Sequence, residues 1–218
     1  MEKRLNEKSE QTKTEDLFQC QSYPILVIIS GPSGVGKDTV ARRLIKRRPE
    51  DFYFVVTATT RDARDSELHG RDYFFVSNDE FARMIEEDDL LEYAVVYRQY
   101  KGIPKQQVRD ALASGKNVIM RLDVQGTATV RNLIPNAITV FLRTQTEEDL
   151  VRRLRERESD SDEGVNLRIA TARQEMKRMK EFDYCVENAE NEQEKAVDLI
   201  LSIIDAARCR VGQEPIVI

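Results

Sequence analysis

The chain has 218 residues, a third of them charged, with 34 basic against 39 acidic and a net charge of −5. That weakly acidic total argues against a general nucleic-acid binder, leaving only local basic clusters to meet anions. Three cysteines without a CxxC pair and a single histidine, His69, argue against a disulfide scaffold and a Cys/His zinc site, and no aliphatic run is long enough for a membrane span. A globular protein of a reducing compartment is expected. Residues 1–23 mix acids and bases with little to bury, and read as a mobile tail or a loose helix. They are too acidic for a transit peptide, so an organellar protein would already have lost its targeting segment. Ile25 to Ile29, apolar on both faces and bounded by Pro24 and Gly31, suits a central parallel strand. Val40, Leu44 and Ile45 follow at helical spacing and stop before Pro49. From Phe54 to Ile103 the rhythm changes: Tyr73 to Val76 and Leu90 to Val96 read as short strands around a helix near Asp79 to Glu86. Val118 to Asp123 and Ile138 to Leu142 are further buried strands, each leading into a helix, the second carrying Leu150 and Leu154. Arg157 to Gly164 is polar and reads as an exposed, mobile connection. A last long helix aligns Val197, Ile200, Ile203, Ile204 and Ala207. Strands alternating with helices predict an α/β fold around a parallel sheet, with a small α+β insertion.

The segment Gly31-Pro-Ser33-Gly34-Val35-Gly36-Lys37 fits G-x-x-x-x-G-K between a strand and a helix. Its backbone N–H groups turn inward on a phosphate chain, the helix adds its positive end, and Lys37 reaches the outer phosphates. The hydroxyl expected after the lysine is replaced by Asp38, with Thr39 behind it; a carboxylate is also a hard-oxygen donor, so Asp38 is the candidate magnesium ligand. Arg61 and Arg64 lie three apart on a loop and suit one phosphate, and Tyr73 adds a phenolic donor. Glu92, set among apolar residues, either accepts hydrogen bonds from a ligand's N–H groups or pairs with an arginine. Asp123 ends a strand at the carboxyl edge of the sheet, where ligands of such sheets bind, and Arg121 points to the same side. Arg121 either meets a phosphate or neutralises Asp38 or Asp123. Arg153 and Arg157 share one helix face, and Arg168 follows.

The order Gly31 to Lys37, then TTRDAR at 59–64, GRDYFFV at 70–76, LEYA at 91–94 and LDVQG at 122–126 closely resembles guanylate kinase, from about Ile25 to Ala207. The resemblance implies a P-loop nucleoside monophosphate kinase that moves the γ-phosphate of ATP, with Mg2+, onto GMP. It implies a core at 24–56, 104–149 and 173–208, a GMP-binding insertion at 57–103 and a mobile lid at 150–172, with 209–218 as a C-terminal tail. ATP is expected on Gly31, Ser33, Gly34, Val35, Gly36, Lys37, Asp38 and Thr39. GMP is expected on Thr57, Arg61, Arg64, Tyr73, Glu92, Lys101 and Asp123, where Thr57, Glu92 and Asp123 read the base. Lys37, Arg64, Arg153, Arg157 and Arg168 are the expected catalytic cations. No general base is required, because the acceptor phosphate is largely deprotonated at neutral pH. The chain departs from the family at Asp38, at Arg121 (an acid in many members), at Lys101 in place of a phosphate-contacting tyrosine, and at Ile103 in place of a hydroxyl. The combination of YKGIPKQQ at 100–107 with RLDVQG at 121–126 looks most like the plant organellar branch, which implies a plastid or mitochondrial address, with the cytoplasm as the alternative. A monomer is expected. The competing reading is a related protein-interaction domain that has lost catalysis.

Overall fold

Because its residues are apolar on both faces, the first strand can be buried from both sides, and it forms the centre of the main sheet. The computed structural model describes residues 23–65, 67–96, 99–156 and 162–218. Strand β1 (Leu26–Ser30) is wholly buried and lies between β7 (Asn117–Arg121) and β8 (Ile138–Arg143). With β2 (Phe52–Phe54) and β9 (Tyr184–Glu187) at the edges, the order is β2-β7-β1-β8-β9, all parallel. Alternation along β1 divides the core into two layers. Val27 and Ile29 pack with Val40 and Leu44 of α1 (Lys37–Arg47) and with Val197, Ile200 and Ile204 of α7 (Gln193–Arg208). Leu26 and Ile28 pack with Val108 of α3 (Lys105–Ala113) and Val130 of α4 (Val124–Leu133).

A second sheet stands apart, with the order β4-β3-β6-β5. It is built from β3 (Ala58–Thr59), β4 (Phe74–Phe75), β5 (Leu90–Val96) and β6 (Gln99–Pro104). Only the β3–β4 pairing is parallel. Helix α2 (Asn78–Glu86) covers it through Phe81 and starts on a reciprocal cap between Ser77 and Glu80. Helices α5 (Glu147–Arg155) and α6 (Asp162–Lys177) pack on each other through Leu150, Leu154, Val165 and Ile169.

Several expectations are corrected. The strand expected at Val118 to Asp123 ends at Arg121, because Asp123 instead caps α4 and accepts from the N–H groups of Gln125 and Gly126 at 2.8 and 2.9 Å. The strand around Tyr73 to Val76 shortens to Phe74–Phe75. The expected lid limits at 150 and 172 fall inside α5 and α6, and Gly164, read as part of a mobile connection, lies in α6. The segment 209–218 is held down: Ile216 and Ile218 pack against the core layer of Leu26 and Val118. The expected mobile tail lies outside the described residues except for Tyr23, as does the connection at 157–161.

Candidate active site

The carboxyl ends of β1 and β7 open into a cleft of about 520 Å³ between the main sheet, the second sheet and α6. The turn from β1 into α1 forms its floor. Gly36, the residue before α1, has φ +94°, and an added Cβ would lie 2.5 Å from Asn188 Nδ2, so only glycine fits there. Asn188 and Arg153 brace this loop from outside: Asn188 Nδ2 donates to the Val35 carbonyl at 2.7 Å, and Arg153 Nη2 donates to the Asn188 carbonyl at 3.0 Å. Lys37 folds back on its own loop, its Nζ donating to the carbonyls of Gly31 (2.5 Å) and Pro32 (3.1 Å). Burial lowers its pKa below the ordinary lysine range, against the pull of Glu175, Asp38 and Asp123.

Of the residues expected from the sequence, Ser33, Gly34, Gly36, Lys37, Asp38, Thr39, Thr57, Arg61, Arg64, Tyr73, Glu92, Lys101, Asp123 and Arg168 all line this cleft. Gly31 and Val35 do not; they act through their carbonyls, on Lys37 and Asn188. Arg153 does not line the cleft either, since its guanidinium is engaged on the main chain of Val35 and Asn188. Arg157 lies outside the described residues.

The second sheet delivers two buried polar atoms to the cleft. Thr57 and Glu92 are 4 % and 6 % exposed, and Thr57 Oγ1 and Glu92 Oε2 have no hydrogen-bond partner among the described residues. Among the described residues no arginine pairs with Glu92. Burial, and then Asp123, pushes the Glu92 carboxyl up to about 8. Gly126 on α4 leaves the space for it: a Cβ there would meet Glu92 Oε2 at 2.9 Å. Nearby, Arg61 holds Glu67 with both fork nitrogens, at 2.6 and 2.7 Å, and its guanidinium carbon lies 4.6 Å from the Tyr73 ring centre. Lys101 has no hydrogen bond or ion pair among the described residues. Its pKa is pushed down to about 8 by burial, then by Lys37 and Arg121.

Arg121 also lines the cleft, as do Arg42 and Glu175, which the sequence did not single out. Arg121 is buried and donates to Asp38 Oδ1 at 2.6 Å, one of its three expected partners. Arg42 lies one turn after Asp38 on α1 and pairs with the buried Asp72. Glu175 sits on α6 seven residues after Arg168, two turns along one face, so that helical spacing was the available signal. Its carboxyl accepts from the Ser33 backbone N–H, and burial raises its pKa despite the nearby Lys37.

Asp38 and Thr39 offer hard oxygens at the start of α1, and no cluster of three acidic, histidine or cysteine side chains that could hold a metal exists among the described residues. This donor set fits magnesium carried in by a nucleotide, whose remaining ligands are phosphate oxygens and water, and not an all-protein cage.

Known proteins share this arrangement. The family model described as guanylate kinase matches residues 23–207. Guanylate kinase 2, chloroplastic/mitochondrial, of Oryza sativa subsp. japonica is 50% identical over 194 residues, which are 88% of this chain and 68% of the relative. Guanylate kinase of Clostridium tetani is 40% identical over 189 residues, 87% of this chain and 89% of the relative. The crystal structure of guanylate kinase from Anaplasma phagocytophilum superposes with a TM-score of 0.73 at 26% identity, covering 88% of this chain and 89% of that one. With the family model spanning 23–207 and these identities held over most of both chains, this chain belongs to the guanylate kinase family.

Proposed function

We propose that the cleft holds ATP on the loop Gly31 to Thr39 and GMP on the second sheet, and that the γ-phosphate moves between them to give ADP and GDP. The observation that carries the assignment is the pair of unpartnered buried atoms, Thr57 Oγ1 and Glu92 Oε2, facing a cleft rich in cations. Guanine presents N1–H and a 2-amino group, two donors that a carboxylate accepts together. Adenine has no such amino group and an unprotonated N1, so it would leave a buried carboxylate unsatisfied, a loss that discriminates strongly.

The chemistry is then positioning and charge neutralisation. Arg61, Arg64 and Tyr73 hold the GMP phosphate, and Lys101 adds a cation where the family has a tyrosine. Lys37 leaves the carbonyls of its own loop for the outer phosphates of ATP. Arg168 reaches the transferring group from α6, and Arg157 joins it from the α5–α6 segment. Arg153 keeps the loop in shape through Val35 and Asn188. Asp38 and Thr39 would hold magnesium, which when bound neutralises charge on the phosphates of ATP. Helices α5 and α6 form the lid, excluding water as the cations converge. The protein acts as a monomer.

The assay is ADP formation from ATP and magnesium with GMP, dGMP, AMP, CMP and UMP as separate acceptors. Rapid turnover with GMP and at least 100-fold less with AMP, CMP and UMP is expected. Preference for another base would overturn the roles of Thr57 and Glu92, and no turnover from folded protein would return the protein-interaction reading.

We also propose a plastid or mitochondrial address, supported by the name of the rice relative. A fluorescent protein fused to the C-terminus of the full-length protein, imaged in plant cells, would show organellar fluorescence; a purely cytoplasmic signal would contradict it. No described helix is long and apolar enough to cross a membrane.

A further inference from the structure

Arg121 is buried in the lining of the cleft, and no role in the assigned chemistry requires it. A buried guanidinium must be paired, since desolvation penalises an unpartnered charge heavily. Two of its five N–H groups have acceptors among the described residues: Nη1 donates to Asp38 Oδ1 at 2.6 Å, and Nη2 to the Asp72 carbonyl at 3.3 Å. The group also lies over the Tyr73 ring, 4.3 Å from its centre, so Tyr73 carries two guanidiniums, those of Arg121 and Arg61. Asp38, by contrast, has a side chain 38 % exposed at the first turn of α1, where water and the positive helix end can take over its charge. One member of the pair therefore cannot lose its partner without a replacement, while the other can.

We propose that Arg121 is a phosphate-binding residue of the cleft, held by Asp38 in the empty protein and transferred from that carboxylate to the GMP phosphate when the nucleotide binds. The phosphate carries nearly two charges and three acceptor oxygens, so it outcompetes a single half-exposed carboxylate for a planar fork. The transfer releases Asp38 toward the ATP side as GMP arrives, so the two nucleotide sites are linked by one side chain. This inference rests on the assignment of GMP to the second sheet.

The test is equilibrium binding by calorimetry, in EDTA, of GMP and of guanosine to the full chain and its variants. Guanosine keeps the base contacts and lacks the phosphate. Arg121→Met should weaken GMP binding about 10- to 100-fold, with guanosine changed less than about threefold. Arg121→Lys should recover part of the loss. Asp38→Asn, a change at the exposed end of the pair, should tighten GMP binding several-fold, and that gain should vanish in the double variant with Arg121→Met. Parallel losses for GMP and guanosine would mean that Arg121 only supports the structure, and a gain that persists in the double variant would mean that Asp38 acts independently of it. Either result overturns the proposal. Wild-type protein that binds GMP no better than guanosine would overturn the phosphate-site assignment itself, and the proposal with it. Unaltered thermal melting of Arg121→Lys and Asp38→Asn separates these results from misfolding.

Discussion

The Glu92 carboxyl is held at about 8 by burial and by Asp123, so in the empty protein at pH 7 most of it carries a proton. Guanine supplies donors and needs the ionised form, so GMP binding at neutral pH expels that proton. The Michaelis constant for GMP should therefore fall several-fold as pH rises from 7 toward 8, and rise again above about 8 as Lys101 loses the proton that attracts the phosphate. Steady-state kinetics across pH 7–9 measure it, and a flat profile would contradict the role. The stability effect has the opposite sign. A folded-state value above the ordinary 4.5 means that the empty protein binds the proton more tightly than the unfolded chain does. This contribution is fully present below 4.5 and is lost as pH rises toward 8. Glu92→Gln should flatten that slope in thermal melts and cut the preference for GMP over AMP at least 100-fold. Glu92 was legible because its motif marks it, as were Arg61, Tyr73 and Asp123. Glu175 was not, because no motif surrounds it and only the placement of α6 over the loop brings its carboxyl to Ser33.

At the scale of elements, helix α4 meets strand β5 at one tight point, Gly126 against Glu92. Gly126→Ala should make opposing changes. Alanine favours the helix by about 1 kcal/mol, yet its Cβ displaces the carboxylate, so the melting temperature should hold or rise while the Michaelis constant for GMP increases about tenfold. Calorimetric melts and kinetics on the same preparation check this; a parallel loss in both would mean that α4 itself had shifted. Helices α1 and α7 are joined at the surface by Arg43 and Arg47 to Glu194 and by Arg48 to Asp205. Water and salt screen such exposed pairs, so Glu194→Ala should leave the midpoint of denaturant unfolding nearly unchanged. The apolar stripe of Val197, Ile200 and Ile204 carries more of that contact. The long buried elements β1, α1 and α7 were legible from pattern because burial from one or two sides imposes it. Strands β2 and β3, with three and two residues, have no pattern to read; they exist because neighbouring strands supply partners for their backbone groups.

Over the whole molecule the net charge is negative, −5, while Lys37, Arg61, Lys101 and Arg121 converge on one cleft. Low-dielectric walls focus that local field, so association with anionic nucleotides should weaken as salt is raised, despite the acidic total. The same separation of regions governs the C-terminus. Ile216 and Ile218 pack on the core layer of Leu26 and Val118, and neither lines the cleft. Deleting 210–218 should lower stability by about 1–3 kcal/mol, the scale of two partly buried isoleucines, and leave the Michaelis constants for ATP and GMP within about twofold. Denaturant unfolding and kinetics of the truncated chain test it; an unchanged midpoint would mean that the segment contributes nothing.

What the sequence by itself determined was the class of fold, the phosphate loop and most of the polar residues that line the cleft. Those depend on local spacing, on apolar runs, glycines and short motifs whose chemistry is carried by neighbours along the chain. The tertiary structure alone decided the rest. It showed that Arg121 pairs with Asp38 across 83 positions, that Asn188 and Arg153 brace the loop from the far side, that Glu175 faces Lys37, and that Ile216 and Ile218 pack against the core. The physical reason is that buried charges and orphaned polar atoms find partners through space, and which partners face each other depends on how helices and sheets pack.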